Sequence, residues 1–182
     1  MINILYLIVS FFLGLISSFV IDYIKTFFKR KSSKEFVITY LQKTIFTCIP
    51  EIINDANKLK AKLIDNTSDN IKLHAFEDFN TDVLNAITPK EYYDIFKKEY
   101  ILFNNIYTMI KYISSNMPSD IHDNYINSVS LHLKESKNNI SHLETCNYCI
   151  DLKQNTIKLI EFRINESIKL QKKIDELLKL CN

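Results

Sequence analysis

INILYLIVSFFLGLISSFVI, residues 2–21, runs for twenty positions without a charged side chain. At 1.5 Å of rise per residue, a helix of that length spans about 30 Å, the thickness of a bilayer's hydrocarbon core. Asp22 closes the run, and Lys25, Lys29, Arg30, Lys31 and Lys34 follow it. A secretory signal sequence has the opposite polarity, with positive charges first and a small-residue cleavage site last. The stretch therefore reads as a transmembrane helix. By the positive-inside rule its lysine-rich flank stays in the cytoplasm, with the N-terminus outside.

The charges divide along the same line. Residues 25–43 hold six Lys or Arg against Glu35 alone, a net of +5, whereas residues 44–182 carry 17 basic and 19 acidic side chains. The formal +2 of the chain is thus a juxtamembrane collar, 1–31 forming the membrane unit, with Lys25, Lys29, Arg30, Lys31 and Lys34 expected to meet anionic lipid headgroups. Beyond the collar there is one arginine, Arg163, a poor footprint for nucleic acid, which selects clustered basic side chains on one face.

Glycine excludes more than charge does. The only glycine of the 182 residues is Gly14, inside the apolar run. Dinucleotide turns, phosphate-binding loops and tight hairpins depend on glycine's access to positive φ, so Rossmann domains, P-loops and most all-β designs drop out. With 47% hydrophobic and 12% aromatic residues, disorder is excluded as well. The fold class expected is all-α: a single N-terminal transmembrane helix followed by a cytosolic antiparallel bundle at 32–182, of four main helices and one short one.

Helical periodicity supports that expectation. Ser32 and Glu35 have capping-box spacing and predict a fresh helix start after the membrane. Val37, Leu41, Ile45, Cys48, Ile52, Ala56, Leu59 and Leu63 recur in steps of three and four, one helix bent at Pro50. After the polar stretch 65–69, a short helix carries Leu73, Phe76, Phe79, Val83 and Ile87, with an interruption at Asn80–Thr81 left open. Thr88-Pro89-Lys90-Glu91 combines an N-cap threonine, proline at the first helical position and glutamate at the third. The helix it opens is expected to reach Asn116, with Tyr92, Phe96, Tyr100, Phe103, Tyr107 and Ile110 in one stripe and a face broad enough for a central position or a subunit contact. Met117-Pro118 is the next turn. From Ile121 to Cys181 there is neither Pro nor Gly, and a reversal between Asn138 and Asp151 is expected because an unbroken helix would be roughly 90 Å long.

Motifs for chemistry are sparse. His142, Cys146 and Cys149 fall at i, i+4 and i+7 on one helical face, a ligand set zinc accepts, but a structural tetrahedron needs a fourth ligand. Cysteine also packs as a small hydrophobe, and packing is the reading preferred here, with no metal and no cofactor assigned. The four cysteines all follow the membrane run, in the reducing compartment, so no disulfide framework is read. His122, His132 and His142 are ten residues apart and turn around a straight helix rather than share a site. A helical ribonuclease of the HEPN type would show histidine four to six residues after arginine, and Arg163 has none after it. Neither a Ser-His-Asp order nor a zinc-protease motif is present, and the chain reads as non-enzymatic. The charged final helix, Glu166 to Lys179, reads as a solvated face laced by pairs such as Asp175 with Lys179.

The membrane run carries the most specific pattern. Ser10, Gly14 and Ser18 stand four apart, the small-xxx-small spacing that lets two helix backbones approach in lipid, and Asp22 continues the row at the inner rim. A carboxylate repeated there around a ring would attract cations to a pore mouth. The Ile, Lys and Asn bias suggests an AT-rich bacterial or phage genome, a matter of codons rather than physics, and the location expected is a bacterial inner membrane. Two functions are compatible. One is a protein that self-associates through its membrane helix and bundle, as pore-forming or depolarising effectors of bacterial antiviral defence and immunity do. The other is a monomeric anchored adaptor that recruits a cytosolic protein partner.

Overall fold

The computed structural model describes residues 2–65, 71–77, 79–135 and 146–181, with side chains described at 19–65, 71–77, 79–134 and 146–181. Among these the chain is all-helical, without a strand. The elements are α1 (Ile2–Tyr40), a π-turn (Leu41–Ile45), α2 (Phe46–Asp65), α3 (Asp82–Asn85), α4 (Pro89–Phe96), a 3₁₀ turn (Lys97–Glu99), α5 (Tyr100–Ser114), α6 (Pro118–Glu135) and α7 (Asn147–Cys181).

α1 does not restart at Ser32. The expected capping box is unused and the helix passes straight through it. A cap forms where a chain enters a helix and its first N–H groups lack acceptors. Between Gly14 and Pro50 nothing ends the helix upstream, so the N–H groups at 32–35 already have partners one turn earlier. The divide at residue 31/32 therefore falls within one continuous helix.

The distortion attributed to Pro50 is centred on the π-turn just before it. There the N–H of Phe46 reaches back to the carbonyl of Leu41. The wider turn has a packing reason. Val37, Leu41, Ile45 and Ile49 are all fully buried at steps of four. In a regular α-helix each such step rotates the side chain by about 40°, so three steps would carry Ile49 about 120° off the face. One π-turn absorbs most of that drift. From Ile49 the stripe continues through Ile52, Ala56, Leu59 and Leu63.

The helix expected over Leu73–Ile87 shrinks to the single turn of α3. Residues 71–76 are irregular because their polar groups have better partners elsewhere: the N–H of His74 donates to Asp55 of α2 at 2.6 Å. At Asn80 the side chain spans the corner, donating to the carbonyl of Glu77 (2.6 Å) and accepting from the N–H of Asp82 (2.9 Å). Phe79 and Leu84 are the buried anchors of this stretch.

Thr88-Pro89-Lys90-Glu91 forms its capping box with both halves in place. The helix it opens is not continuous to Asn116, however. It breaks at Lys97, whose φ of 43° is the one positive value at a non-glycine among the described residues. The reason is aromatic. In an unbroken helix Phe96 and Phe103 would lie seven residues, about 10 Å, apart along the axis. The break lets their rings stack at 4.4 Å between centroids, 9° from parallel, with the Tyr92 ring also 4.4 Å from Phe103. Burying three aromatic rings against one another outweighs the roughly 1–3 kcal/mol that a lysine in so sparsely populated a backbone conformation costs.

α7, rather than the aromatic helix, is central: α2, α5 and α6 all pack on it. Its buried positions, Cys149, Thr156, Ile160, Arg163, Ser167, Leu170, Ile174 and Leu177, form a three-four stripe in which Arg163 is the one charged residue. The Glu166–Lys169 and Asp175–Lys179 pairs (2.8 and 2.5 Å) occupy the outer face as the spacing predicted. α6 ends at Glu135 and α7 begins at Asn147; the reversal expected from Asn138 onward falls largely outside the described residues.

Candidate functional site

Three groups of residues stand out once the helices are placed. The first is the end of α1 that leaves the packed body. Phe19, Val20, Ile21, Tyr23, Ile24, Phe27 and Phe28 are all exposed, Phe19 and Tyr23 to more than 70%. The helix is long and apolar enough to cross a membrane. Ser10, Gly14 and Ser18 lie on its backbone four residues apart, which keeps them in one row; their side chains lie outside the described residues. Asp22 continues the row and is exposed.

Packing begins at the collar, and the structure gives the basic residues protein partners. Lys29 pairs with Glu91 at 3.3 Å and Arg30 with Asp94 at 3.1 Å, both on α4. Lys34 lies over the ring of Phe96, 5.8 Å from its centroid, and Lys31 is 4.0 Å from Glu35. The Glu91 carboxyl is held below the usual range by the backbone N–H and hydroxyl of Thr88 and then by Lys29. Between α1 and the corner after α4 lies an open groove, with Phe19, Val20, Tyr23 and Phe27 as an apolar wall and Arg30, Lys31, Lys34 and Lys97 as a basic rim. Lys25 is exposed one turn nearer the apolar run.

The second group comprises two buried charges that no sequence motif signals. Asp55 has no exposure, and it accepts from the His74 N–H, lies 2.8 Å from His74 Nδ1 and pairs with Lys58 at 3.1 Å. Burial by itself would raise the Asp55 pKa, but the hydrogen bonds from His74 and Lys58 outweigh it and hold the carboxyl below its ordinary value. Arg163 is 5% exposed; its guanidinium lies 3.7 Å from the Tyr112 ring centroid and donates to the Tyr112 carbonyl at 3.2 Å. That carbonyl belongs to the last turn of α5, where a cation also meets the negative end of the helix dipole. Both are staples, one tying the 71–77 segment to α2, the other tying α7 to the end of α5.

The third group was half legible. Cys146 and Cys149 do converge with a histidine, but it is His132 of α6, with Nε2 3.3 Å from the Cys146 sulfur. His142 lies outside the described residues. The ligand atoms of His132, Cys146 and Cys149 all fall within 4.8 Å of one another. Cys149 is buried, whereas Cys146 and His132 are half-exposed, and the His132 ring rests on Tyr148 at 4.5 Å. The backbone N–H of Cys149 at the start of α7, with help from His132, pulls the Cys146 thiol below its usual pKa, and burial pushes Cys149 up. Ten-residue spacing said nothing of this contact, because His132 reaches the cysteines across a chain reversal.

Compared with family models, curated proteins and solved structures, the chain matches none of them.

Proposed function

We propose that this chain is a non-enzymatic, single-pass membrane protein of the bacterial inner membrane, with its N-terminus outside and its helical domain in the cytoplasm. It acts by assembling with itself at the membrane, in the manner of a pore-forming or depolarising effector. One observation carries the reading. A single helix without a break joins the charge-free run 2–21 to the buried stripe that starts at Val37, and its apolar side chains from Phe19 to Phe28 are uncovered where the collar docks on α4. A rigid joint of that kind transmits rotation or translation of the domain directly to the membrane segment, which a flexible tether would not. The row Ser10, Gly14, Ser18 supplies the surface through which neighbouring helices would pack.

The experiment is the mass of the full-length protein in mild detergent, for wild type, Gly14→Leu and Asp22→Asn. Leucine keeps the segment apolar, so insertion persists, but its bulk separates the helices and the oligomer dissociates toward monomer. Asp22→Asn leaves the mass unchanged and alters only cation flux through any pore. A wild-type monomer, or a Gly14→Leu oligomer as large as wild type, would overturn the assembly reading.

A further inference from the structure

We propose that His132, Cys146 and Cys149 form a zinc site that fastens the last turn of α6 to the first turn of α7. Packing accounts for Cys149, which lies on the buried stripe of α7, but not for Cys146, which is half-exposed and directs its sulfur at an imidazole nitrogen. The dimensions are those of a metal edge. In a tetrahedral site with Zn–S near 2.3 Å and Zn–N near 2.0 Å, a sulfur and a nitrogen ligand stand about 3.5 Å apart and two sulfurs about 3.8 Å. His132 Nε2 and the Cys146 sulfur are 3.3 Å apart, and the whole set lies within 4.8 Å, so closing on an ion requires side-chain adjustment and no backbone movement.

Local structure holds each ligand in place. Cys146 immediately precedes α7, and its carbonyl accepts from the N–H of Ile150, so the Cys-x-x-Cys pair rides on one helical turn with both sulfurs on the same side. His132 sits in the final turn of α6, its ring plane set by contact with Tyr148. One imidazole and two thiolates are a soft, zinc-selecting donor set. His132 and Cys146 are half-exposed, so a water supplies the fourth ligand that the three side chains do not. Because the ligands bracket the chain reversal, the ion would fix the angle between α6 and α7, the helix on which α2 and α5 also pack. This inference is independent of self-association.

The test is cobalt titration of the full-length protein, reduced with a phosphine and held in mild detergent. One Co²⁺ per chain is expected, with thiolate-to-cobalt charge transfer and the intense visible bands of a tetrahedral ion, both displaced by Zn²⁺. Cys146→Ser and Cys149→Ser each diminish the charge-transfer band and the affinity, and Cys48→Ser with Cys181→Ser leaves both intact. His132→Ala weakens binding by more than the roughly 10–100-fold that loss of a supporting hydrogen bond costs. Circular dichroism checks each variant, and should buried Cys149→Ser fail to fold, half-exposed Cys146→Ser carries the test. No cobalt–thiolate band in wild type, or a band and affinity undiminished in Cys146→Ser, would overturn the proposal.

Discussion

Residues 19–28 and 37–63 belong to one nearly continuous helical rod, yet they meet opposite surroundings. In the first stretch Phe19, Val20, Ile21, Tyr23, Ile24, Phe27 and Phe28 are exposed on every side of the helix. In the second the apolar residues Val37, Leu41, Ile45, Ile49, Ile52, Ala56, Leu59 and Leu63 form one stripe and are buried to a residue. A helix that is apolar all round matches lipid, and one with a single stripe matches a protein core. The difference teaches that distribution around the axis, more than total hydrophobicity, decides what a helix is for. The collar is where one pattern gives way to the other, and among the described side chains of α1 its Lys29 and Arg30 are the first to form ion pairs with another element.

The largest expected effect comes from cutting the rod at that change. Deleting residues 2–24 should abolish pelleting with membranes after a carbonate wash, an all-or-none shift, while the remaining chain keeps its helical circular dichroism and a cooperative melt. If the deleted protein still pellets, or the full-length chain washes off, residues 19–28 are covered by protein in the cell and the contrast fails.

Next in size are truncations at matched positions on either side. Ile49→Ala, at a site with no exposure, should cost about 2–5 kcal/mol by removing buried methyl groups and leaving a cavity. Ile24→Ala removes the same atoms from an exposed site and should change domain stability by less than about 0.5 kcal/mol. Denaturant melts of both variants in the same detergent make the comparison direct. Equal costs would mean that the two halves of the rod share one core.

Much of this division was legible in the sequence, since it needs only the spacing of apolar residues. The stripe from Val37 to Leu63, the turn at Met117-Pro118 and the cap at Thr88 follow from short-range patterns that the structure reproduces. What misled were features set by partners distant in the chain. Ser32 and Glu35 have cap spacing, but a cap needs a helix to begin there. The stripe from Tyr92 to Ile110 looked continuous because the stacking of Phe96 on Phe103 cannot be read from period alone. His132 meets Cys146 across a reversal whose register no local rule sets. No sequence pattern singles out Asp55 or Arg163 as buried, and only the packed neighbours His74 and Tyr112 reveal them as staples.

Asp55 extends the contrast to pH. Asp55→Ala should destabilise the domain by about 1–3 kcal/mol, since it removes the charged acceptor of the His74 N–H and the partner of Lys58. Its carboxyl titrates below the ordinary aspartate value, so the unfolded chain takes up a proton at higher pH than the folded one. The stabilisation is complete above the unfolded pKa of about 3.9 and is lost as pH falls from there through the lower folded value. Wild type should therefore lose its advantage over Asp55→Ala in that acid range, seen as converging thermal melts. A gap that stays constant down to the acid limit would show that packing, rather than the ionised carboxylate, holds the 71–77 segment.

The smallest effect belongs to the boundary itself. Arg30 and Asp94 make a 3.1 Å pair with both side chains partly exposed, the geometry in which attraction is offset by hydration and by the entropy of holding a long side chain still. Such pairs contribute about 0.2–1 kcal/mol. Asp94→Asn is the clean probe, because Asp94 has no part in the Thr88 capping box, whereas Glu91 belongs to both the box and the Lys29 pair. It should lower the melting temperature by no more than a few degrees at low ionic strength, and by nothing measurable in about 1 M salt, where the Debye length falls to about 3 Å. A loss as large as that of Ile49→Ala, or one indifferent to salt, would make the collar a part of the core. The change from lipid-facing to protein-facing helix would then lie before Arg30, and the collar would belong with the stripe that starts at Val37.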